Sequence, residues 1–200
     1  MILPGNSDFT STVTVAKVVV VSGSWKTPSK TRTLTDAVAD ALRKLRRIET
    51  IKIDLAEVGS QIAQLTTTSD ADPKLTSLFS AVASADLLIV GSPIYKAAYT
   101  GLFKHFFDLI DPHALIGKPV LLTATGGSLH YALVLEHQFR PLFSFFRAQT
   151  LPNTVYAVES DFENGVLISQ SVKDRIEKVA SEAEGEIERQ LQRSMASRVA

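Results

Sequence analysis

The stretch KVVVVSGSWKTPSKTRT, residues 17–33, decides the fold of this chain. Its first part holds four consecutive valines, and a continuous apolar run of this kind is typical of a parallel strand that helices cover on both faces. A short segment rich in hydroxyl side chains follows, and apolar residues then recur at helical spacing. A strand that turns through a tight loop into a helix indicates the start of a βαβ unit.

The rest of the chain repeats this alternation of short β-branched runs and longer helical patterns. Predicted strands cover residues 17–22, 50–55, 86–91, 119–123 and 154–158, and predicted helices cover residues 31–47, 73–84, 100–110, 129–147 and 172–195. A polar stretch fills the chain from the second strand to Asp72. Right-handed crossovers then predict a flavodoxin-like, doubly wound α/β fold with a five-stranded parallel sheet in the order 2-1-3-4-5.

Composition limits the partners and the chemistry of the chain. Its 200 residues, 45% of them hydrophobic, favour a single domain over residues 16–200 after a flexible, Ser- and Thr-rich extension over residues 1–15. The 21 basic and 21 acidic residues balance, so no net field attracts nucleic acid or an anionic membrane. Cysteine is absent, which removes disulfides and thiol nucleophiles. Because neither a signal peptide nor a membrane-spanning run is recognisable, we expect a cytoplasmic protein.

Three loops are expected to meet where ligands of such sheets bind, beyond the carboxyl ends of strands 1, 3 and 4. The first loop, residues 23–33, carries hydroxyl groups and leads into a helix whose amides can bind a phosphate. The second loop, residues 92–101, has a Pro-aromatic turn that offers a flat apolar ledge to a planar ring. The third loop, residues 124–128, has paired glycines that let the main chain approach the same ring.

Each loop has a plainer interpretation as well. The first loop is equally typical of a Ser/Thr-capped helix start, and the glycine pair is typical of an ordinary turn. The first loop is not a Walker A motif, because it lacks the terminal Gly-Lys-Ser/Thr and its only glycine is Gly23. Its basic residues either pair with a phosphate or lie in solvent; Arg32 is kept as a candidate phosphate residue, and solvent is favoured for Lys26.

At these loops the sequence resembles a known family. The segments GSWKTPSKT after strand 1, PIYKAAYTGLFKHFFDL after strand 3, and ATGG with HQFRPLFSFFRAQ after strand 4 are similar to those of the NAD(P)H-dependent FMN reductases of the flavodoxin-like superfamily. The resemblance spans roughly residues 17–160 and is strongest to the reductases that supply reduced flavin to alkanesulfonate and methanesulfonate monooxygenases. The longer N-terminus and residues 129–131 depart from those reductases.

The resemblance implies an enzyme that passes hydride from NADH or NADPH to FMN and supplies reduced FMN to a partner monooxygenase. The residues that it implies are Ser24, Ser29, Thr31 and Thr33 at the FMN phosphate, Pro93, Ile94, Tyr95 and Lys96 along the isoalloxazine, and Thr125, Gly126 and Gly127 at its pyrimidine edge. It also implies that Tyr99 lies in a one-residue π-helix insertion at a tetramer interface near the flavin. A packed interface aromatic is the alternative for Tyr99.

Hydride transfer between two cofactors requires no side-chain acid or base. The sequence accordingly shows no catalytic dyad, and no metal site is expected, since His105 and Asp108 have no third ligand nearby. His130 follows the glycine pair, but a satisfied or exposed histidine is the favoured interpretation. Phenylalanines spread around two predicted helices, residues 100–110 and 129–147, and this surplus favours a homodimer or tetramer over helices buried within one chain.

Other proteins share this sheet topology. A low-molecular-weight phosphatase is excluded because it needs a cysteine, and a response regulator is excluded because the first strand ends in Ser22 and Gly23 rather than in acidic residues. An electron-carrier flavodoxin is disfavoured by the zero formal charge, since such carriers are expected to be acidic. A quinone or azo-compound reductase with permanently bound FMN stays open, as does the choice between NADH and NADPH.

Overall fold

The computed structural model describes residues 15–199, with side chains described for residues 15–192. The strands are β1 (Ala16–Ser22), β2 (Ile48–Asp54), β3 (Leu87–Pro93), β4 (Pro119–Gly126), β5 (Gln149–Thr150), β6 (Val155–Val158), β7 (Phe162–Glu163) and β8 (Val166–Leu167). The α-helices are α1 (Lys30–Leu45), α2 (Leu55–Ile62), α3 (Pro73–Ser84), α4 (Gly101–Asp108), α5 (Arg140–Phe145) and α6 (Gln170–Val199). The predicted N-terminal extension lies outside the described residues except for Val15.

The main sheet is parallel and runs in the order β2-β1-β3-β4-β5, which confirms the predicted topology. The fifth position is shared, because β5 pairs with the start of β4 and β6 pairs with its end. The interruption contains Pro152, which has no N–H to donate to a ladder. Arg140 donates hydrogen bonds to the carbonyl groups of Leu151 (2.9 Å) and Pro152 (2.7 Å), so the break leaves these acceptors satisfied.

Two apolar clusters cover the two faces of the sheet. The valines of β1 alternate between them: Val19 and Val21 face α2, α3, α4 and α5, whereas Val18 and Val20 face α1 and α6. All four valines are at most 2% exposed. The continuous apolar run therefore marks a central strand because neither face of β1 meets water.

Helix starts follow local capping signals, including one that the sequence interpretation missed. Helix α3 begins at Pro73, as predicted, and the Asp72 carboxylate accepts the N–H of Leu75 at 2.8 Å. Helix α2 lies in the stretch interpreted as polar, so that interpretation was wrong for residues 55–62. The Asp54 carboxylate accepts the N–H of Ala56 at 3.1 Å and caps the helix, whose apolar side chains then reach the core.

The predicted helix over residues 129–147 is divided in the structure. A 3₁₀ turn spans Leu129–Tyr131, a π-helical turn spans Leu135–Phe139, and α5 follows. Pro141 explains why a regular helix does not pass through this region: it donates no hydrogen bond, and its ring would clash with the carbonyl four residues earlier. A π-helical turn is a rare local widening that accommodates such a break.

Most of the phenylalanines in residues 100–110 and 129–147 are buried in the core of the single chain. Their number therefore does not support the predicted homodimer or tetramer. Five of these side chains are fully buried: Phe103, Phe106, Phe107, Phe139 and Phe143. Phe103, Phe106 and Phe107 lie at positions i, i+3 and i+4 on one face of α4, which packs against the π-helical turn and α5. Only Phe145 among the aromatic residues of α4 and α5 is largely exposed, at 68%. Within the described residues, no helix combines the length and apolarity needed to cross a membrane.

Candidate functional site

The three loops expected to meet do so around one cavity at the carboxyl ends of β1, β3 and β4. The cavity measures about 450 Å³, within the range of small-ligand sites. Nine of the twelve residues predicted to bind the cofactor line it: Ser24, Ser29, Thr31, Pro93, Ile94, Tyr95, Thr125, Gly126 and Gly127. The further lining residues are Lys26, Pro28, Lys30, Val158, Glu159 and Phe162.

Three hydroxyl side chains at and before the N-terminus of α1 line this cavity. Ser29 caps the helix by accepting the N–H of Arg32 at 3.1 Å, and Ser24 accepts the N–H of Lys26 at 3.2 Å. Thr31 lies in the first turn, which contains no acidic residue. A helix N-terminus with free N–H groups and nearby hydroxyls attracts an anion. This part of the cavity can therefore bind a phosphate.

Direct hydrogen bonds hold the three loops together. The hydroxyl oxygens of Thr31 and Thr125 lie 2.6 Å apart and join the first loop to the third. The N–H of Ile94 donates to the carbonyl of Thr125 at 2.8 Å and joins the second loop to the third. The hydroxyl of Thr100 donates to the carbonyl of Gly23 at 2.9 Å and joins the second loop to the first. The cavity walls are thus linked to one another rather than positioned separately.

The second loop presents Tyr95 on a tight turn. Tyr95 and Ala98 exchange two backbone hydrogen bonds of 3.0 and 3.2 Å, and the two residues between them have positive φ angles, 53° at Lys96 and 65° at Ala97. Residues other than glycine rarely adopt this conformation, and such turns cluster at functional sites. The turn leaves the Tyr95 ring 41% exposed at the mouth of the cavity.

The third loop is shaped by Tyr156 of β6. The Tyr156 hydroxyl donates to the carbonyl of Ser128 at 2.8 Å, and burial raises its pKa. A Cβ at Gly126 would overlap that hydroxyl, whereas a Cβ at Gly127 would meet nothing within 4 Å. The backbone at Gly127 is therefore open toward a ligand, and Gly126 is required by packing.

Three predicted cofactor residues do not line the cavity. The Arg32 guanidinium donates to the carboxylates of Asp54 (2.9 Å) and Glu57 (3.2 Å); burial opposes its charge, but these carboxylates raise its pKa overall. The Thr33 hydroxyl donates to the carbonyl of Ser29 and lies within 3.1 Å of the carbonyl of Gly165, in the β7–β8 turn. Lys96 is exposed at the tip of its turn. The backbone N–H of Arg32 thus lies at the N-terminus of α1, whereas its side chain binds carboxylates that do not line the cavity.

Sequence reasoning missed the wall that follows β6. Val158, Glu159 and Phe162 line the cavity, and Glu159 forms an ion pair with Lys30 of the first loop. No motif marks these residues, and the ion pair joins positions 129 residues apart. The only available signal was topological, since β6 ends at the same edge of the sheet as β1, β3 and β4.

The implied π-helix at Tyr99 is wrong. Thr100 accepts the N–H of Phe103 at 3.1 Å and caps α4, so the helix begins after Tyr99, and the π-helical turn lies in Leu135–Phe139 instead. The two segments nevertheless touch, because the Tyr99 ring packs edge-on against Phe139 with centroids 5.3 Å apart. Burial raises the pKa of Tyr99. His130, also singled out, is exposed, and its Nδ1 lies 2.8 Å from the Ser128 hydroxyl.

Comparison with known proteins decides the family. A model of the family described as NADPH-dependent FMN reductase matches residues 16–163. The chain belongs to this family. It is 47% identical over 167 residues to an FMN reductase (NADPH) of Pseudomonas aeruginosa, covering 84% of this chain and 90% of that one. It is 45% identical over 166 residues to the NADH-dependent FMN reductase SfnF of Pseudomonas putida, covering 82% and 89%.

A solved structure supports the same assignment. An oxidoreductase from Corynebacterium diphtheriae is 34% identical and superposes with a TM-score of 0.79, covering 86% of this chain and 97% of that one. The predictions of a flavodoxin-like fold and of an NAD(P)H-dependent flavin reductase are therefore confirmed. The roles of individual site residues, and the expectation that no metal is needed, stay predictions.

The chemistry of the cavity fits FMN. Among the lining residues, the hydroxyls and the helix N-terminus suit a phosphate, and the apolar Pro93 and Ile94 with the open backbone of Gly127 suit a flat ring. Both groups of residues line a single cavity, so one ligand can reach both. A ligand with a phosphate and a planar heterocycle matches this donor set.

Proposed function

We propose that this FMN reductase binds the FMN phosphate at the N-terminus of α1 and the isoalloxazine between the second and third loops. The main support is that a hydroxyl-rich helix N-terminus and an apolar Pro-aromatic turn line one cavity, in which the hydroxyls of Thr31 and Thr125 are hydrogen bonded. When bound, FMN supplies the ring atom that accepts hydride from NADH or NADPH. The protein's residues bind and orient the reactants.

The proposed phosphate ligands act through hydrogen bonds rather than through paired charges. Ser24, Ser29 and Thr31 each supply a hydroxyl, and the first turn of α1 supplies N–H groups. Two lysines also line the cavity: Lys30 is held by Glu159, whereas Lys26 forms no ion pair with any residue that the structure describes. Each hydrogen bond to a charged phosphate contributes about 1.5–3 kcal/mol, so several of them suffice for tight binding.

A charge at the helix cap tests this arrangement. We expect Ser29→Glu to abolish FMN-dependent oxidation of NADH and NADPH, because its carboxylate would occupy the phosphate position and repel the anion. Glutamate also disfavours capping, so folding is checked by circular dichroism and by retained unfolding cooperativity. The control is Ser77→Glu on the exposed face of α3, which is expected to keep wild-type activity. A folded Ser29→Glu enzyme with wild-type KM for FMN would contradict the proposal.

We further propose that FMN turns over as a substrate and that reduced FMN passes to a partner monooxygenase in the cytoplasm. The resemblance of the three loop segments to sulfonate-system reductases supports this role. The test is anaerobic turnover with excess FMN: a diffusible product predicts that each enzyme molecule reduces many equivalents of FMN with saturation kinetics. Reduction of only one equivalent, with rapid turnover of an added quinone, would instead identify a quinone reductase.

We also propose self-association through the face that carries Phe145. This side chain is 68% exposed and lines a second cavity of about 530 Å³ together with Tyr99, His137 and Leu142. Leu133, nearby in sequence, is 63% exposed. Apolar groups this exposed are typical of a subunit contact. Phe145→Glu is expected to lower the mass measured by light scattering to that of one chain, and an unchanged mass would exclude this face.

A further inference from the structure

Trp25 is the only tryptophan of the chain, and it packs against Tyr95, one of the residues that line the cavity. Its neighbours in sequence, Ser24 and Lys26, both line the cavity, but Trp25 does not. Its ring stacks on Tyr95 with centroids 5.5 Å apart and an angle of 26° between the planes. The Trp25–Tyr95 stack therefore lies next to the proposed FMN site, because Tyr95 belongs both to the stack and to the residues that line the cavity.

The indole is poorly covered for its size. Trp25 is 53% exposed, although Tyr95 packs against it. A large aromatic side chain held in a fixed orientation with half of its surface in water is typical of a binding surface rather than of a core. Trp25 is not among the residues that line the cavity, so its exposed surface is available to a second ligand beside the proposed FMN site.

Charges distinguish this position from the rest of the site. Lys26 and Lys96 flank Trp25 and Tyr95 in sequence, and neither forms an ion pair with any residue that the structure describes. Lys30 and Arg32, by contrast, are held by carboxylates. A flat aromatic surface with two uncommitted cations matches a purine ring that carries phosphates, through stacking and charge-assisted hydrogen bonds.

We propose that the Trp25–Tyr95 stack, with Lys26 and Lys96, binds the adenosine phosphate half of the nicotinamide cofactor. The inference rests on the proposed function, because it assigns the second substrate of the same site. The adenine stacks on the exposed surface of Trp25, and the lysines contact its phosphates. Tyr95 lies both in this stack and in the cavity wall, so the nicotinamide end lies within reach of the proposed ring site.

Kinetics separate this role from FMN binding. Stacking of a base on an aromatic side chain predicts that Trp25→Ala raises the KM for NADH and NADPH about tenfold. We expect kcat at saturating cofactor and the Kd for FMN to change less than about twofold, and Trp25→Phe to restore most of the affinity. Lys96→Met is expected to raise the same KM, whereas Lys178→Met, on the exposed face of α6, is the matched control and is expected to leave it unchanged.

Fluorescence gives a direct measurement, because Trp25 is the sole indole. Titration of the flavin-free protein with 2′,5′-ADP and with 5′-ADP is expected to quench the emission saturably, and the two nucleotides are expected to inhibit competitively against NADPH and NADH. A stronger effect of 2′,5′-ADP would assign the lysines to the extra phosphate of NADPH, and equal effects would assign them to the 5′-phosphate that the two nucleotides share.

The possible failures are distinguishable. If wild-type protein does not bind FMN, the proposed function fails. If FMN binds and turns over normally but Trp25→Ala keeps the wild-type KM, only the adenosine site fails. A parallel rise in the Kd for FMN would overturn it as well, because Trp25 would then act by holding Tyr95 against the flavin. A change in oligomeric mass with Trp25→Ala would likewise overturn it and identify a subunit contact.

Discussion

A methyl group at Gly126 is expected to disturb the third loop far more than one at Gly127. The Cβ of Gly126→Ala would overlap the Tyr156 hydroxyl and lie 3.0 Å from the ring carbon that bears it, so the ring must turn away. The hydrogen bond to Ser128 is then lost, which costs about 0.5–1.5 kcal/mol, and repacking of the ring adds about 1–3 kcal/mol. We therefore expect the free energy of unfolding to fall by about 2–4 kcal/mol.

A double-mutant cycle isolates the clash. Tyr156→Phe removes the hydroxyl, so Gly126→Ala is expected to cost about 1–2 kcal/mol less in that background than in the wild type. Urea denaturation of the flavin-free protein, followed by circular dichroism, measures all four corners. Gly127→Ala is the matched control: it is expected to change stability by less than about 0.5 kcal/mol while weakening FMN binding, because its methyl group enters the cavity. Equal costs at the two glycines, or no coupling between Gly126 and Tyr156, would refute this reasoning.

Three further perturbations have expected outcomes. Thr125→Val removes the hydrogen bond to Thr31 and is expected to cost about 1 kcal/mol of stability and to weaken FMN binding, as measured by denaturation and by flavin fluorescence. Arg32→Met is expected to change the Kd for FMN less than about twofold, because its guanidinium binds carboxylates. Burial lowers the pKa of Lys118 in the folded chain below its ordinary 10.5. At pH values between the lowered folded-state pKa and 10.5, the unfolded chain binds one more proton than the folded chain, so the free energy of unfolding rises with pH. Lys118→Met is expected to remove that rise in urea denaturation at several pH values.

The fold was predictable where local signals agree with burial. Strand β1 has valines on both of its faces because helices cover both faces of the sheet. Asp72 and Pro73 mark the start of α3 through a local capping signal that needs no tertiary contact. Helix α2 was missed because it has only eight residues and contains Gly59. So short a helix depends on its packing against the core rather than on its own propensity.

The candidate site was predictable to the extent that topology places loops. Three loops that follow β1, β3 and β4 necessarily share one edge of the sheet, so the hydroxyl and glycine residues found there were identifiable from the sequence. The directions in which the side chains point were not predictable from the sequence. Arg32 pairs with Asp54, 22 residues away, and Lys30 pairs with Glu159, 129 residues away. Such pairings depend on tertiary distances that no local pattern encodes.

The shared cavity for a phosphate and a flat ring is the central claim, and equilibrium binding of FMN and riboflavin to the flavin-free protein tests it most directly. The two ligands differ only in the phosphate. Two or more hydrogen bonds to that group, at about 1.5–3 kcal/mol each, predict that FMN binds at least about 100-fold more tightly than riboflavin, measured by quenching of flavin fluorescence. Equal affinities for the two flavins would contradict the account.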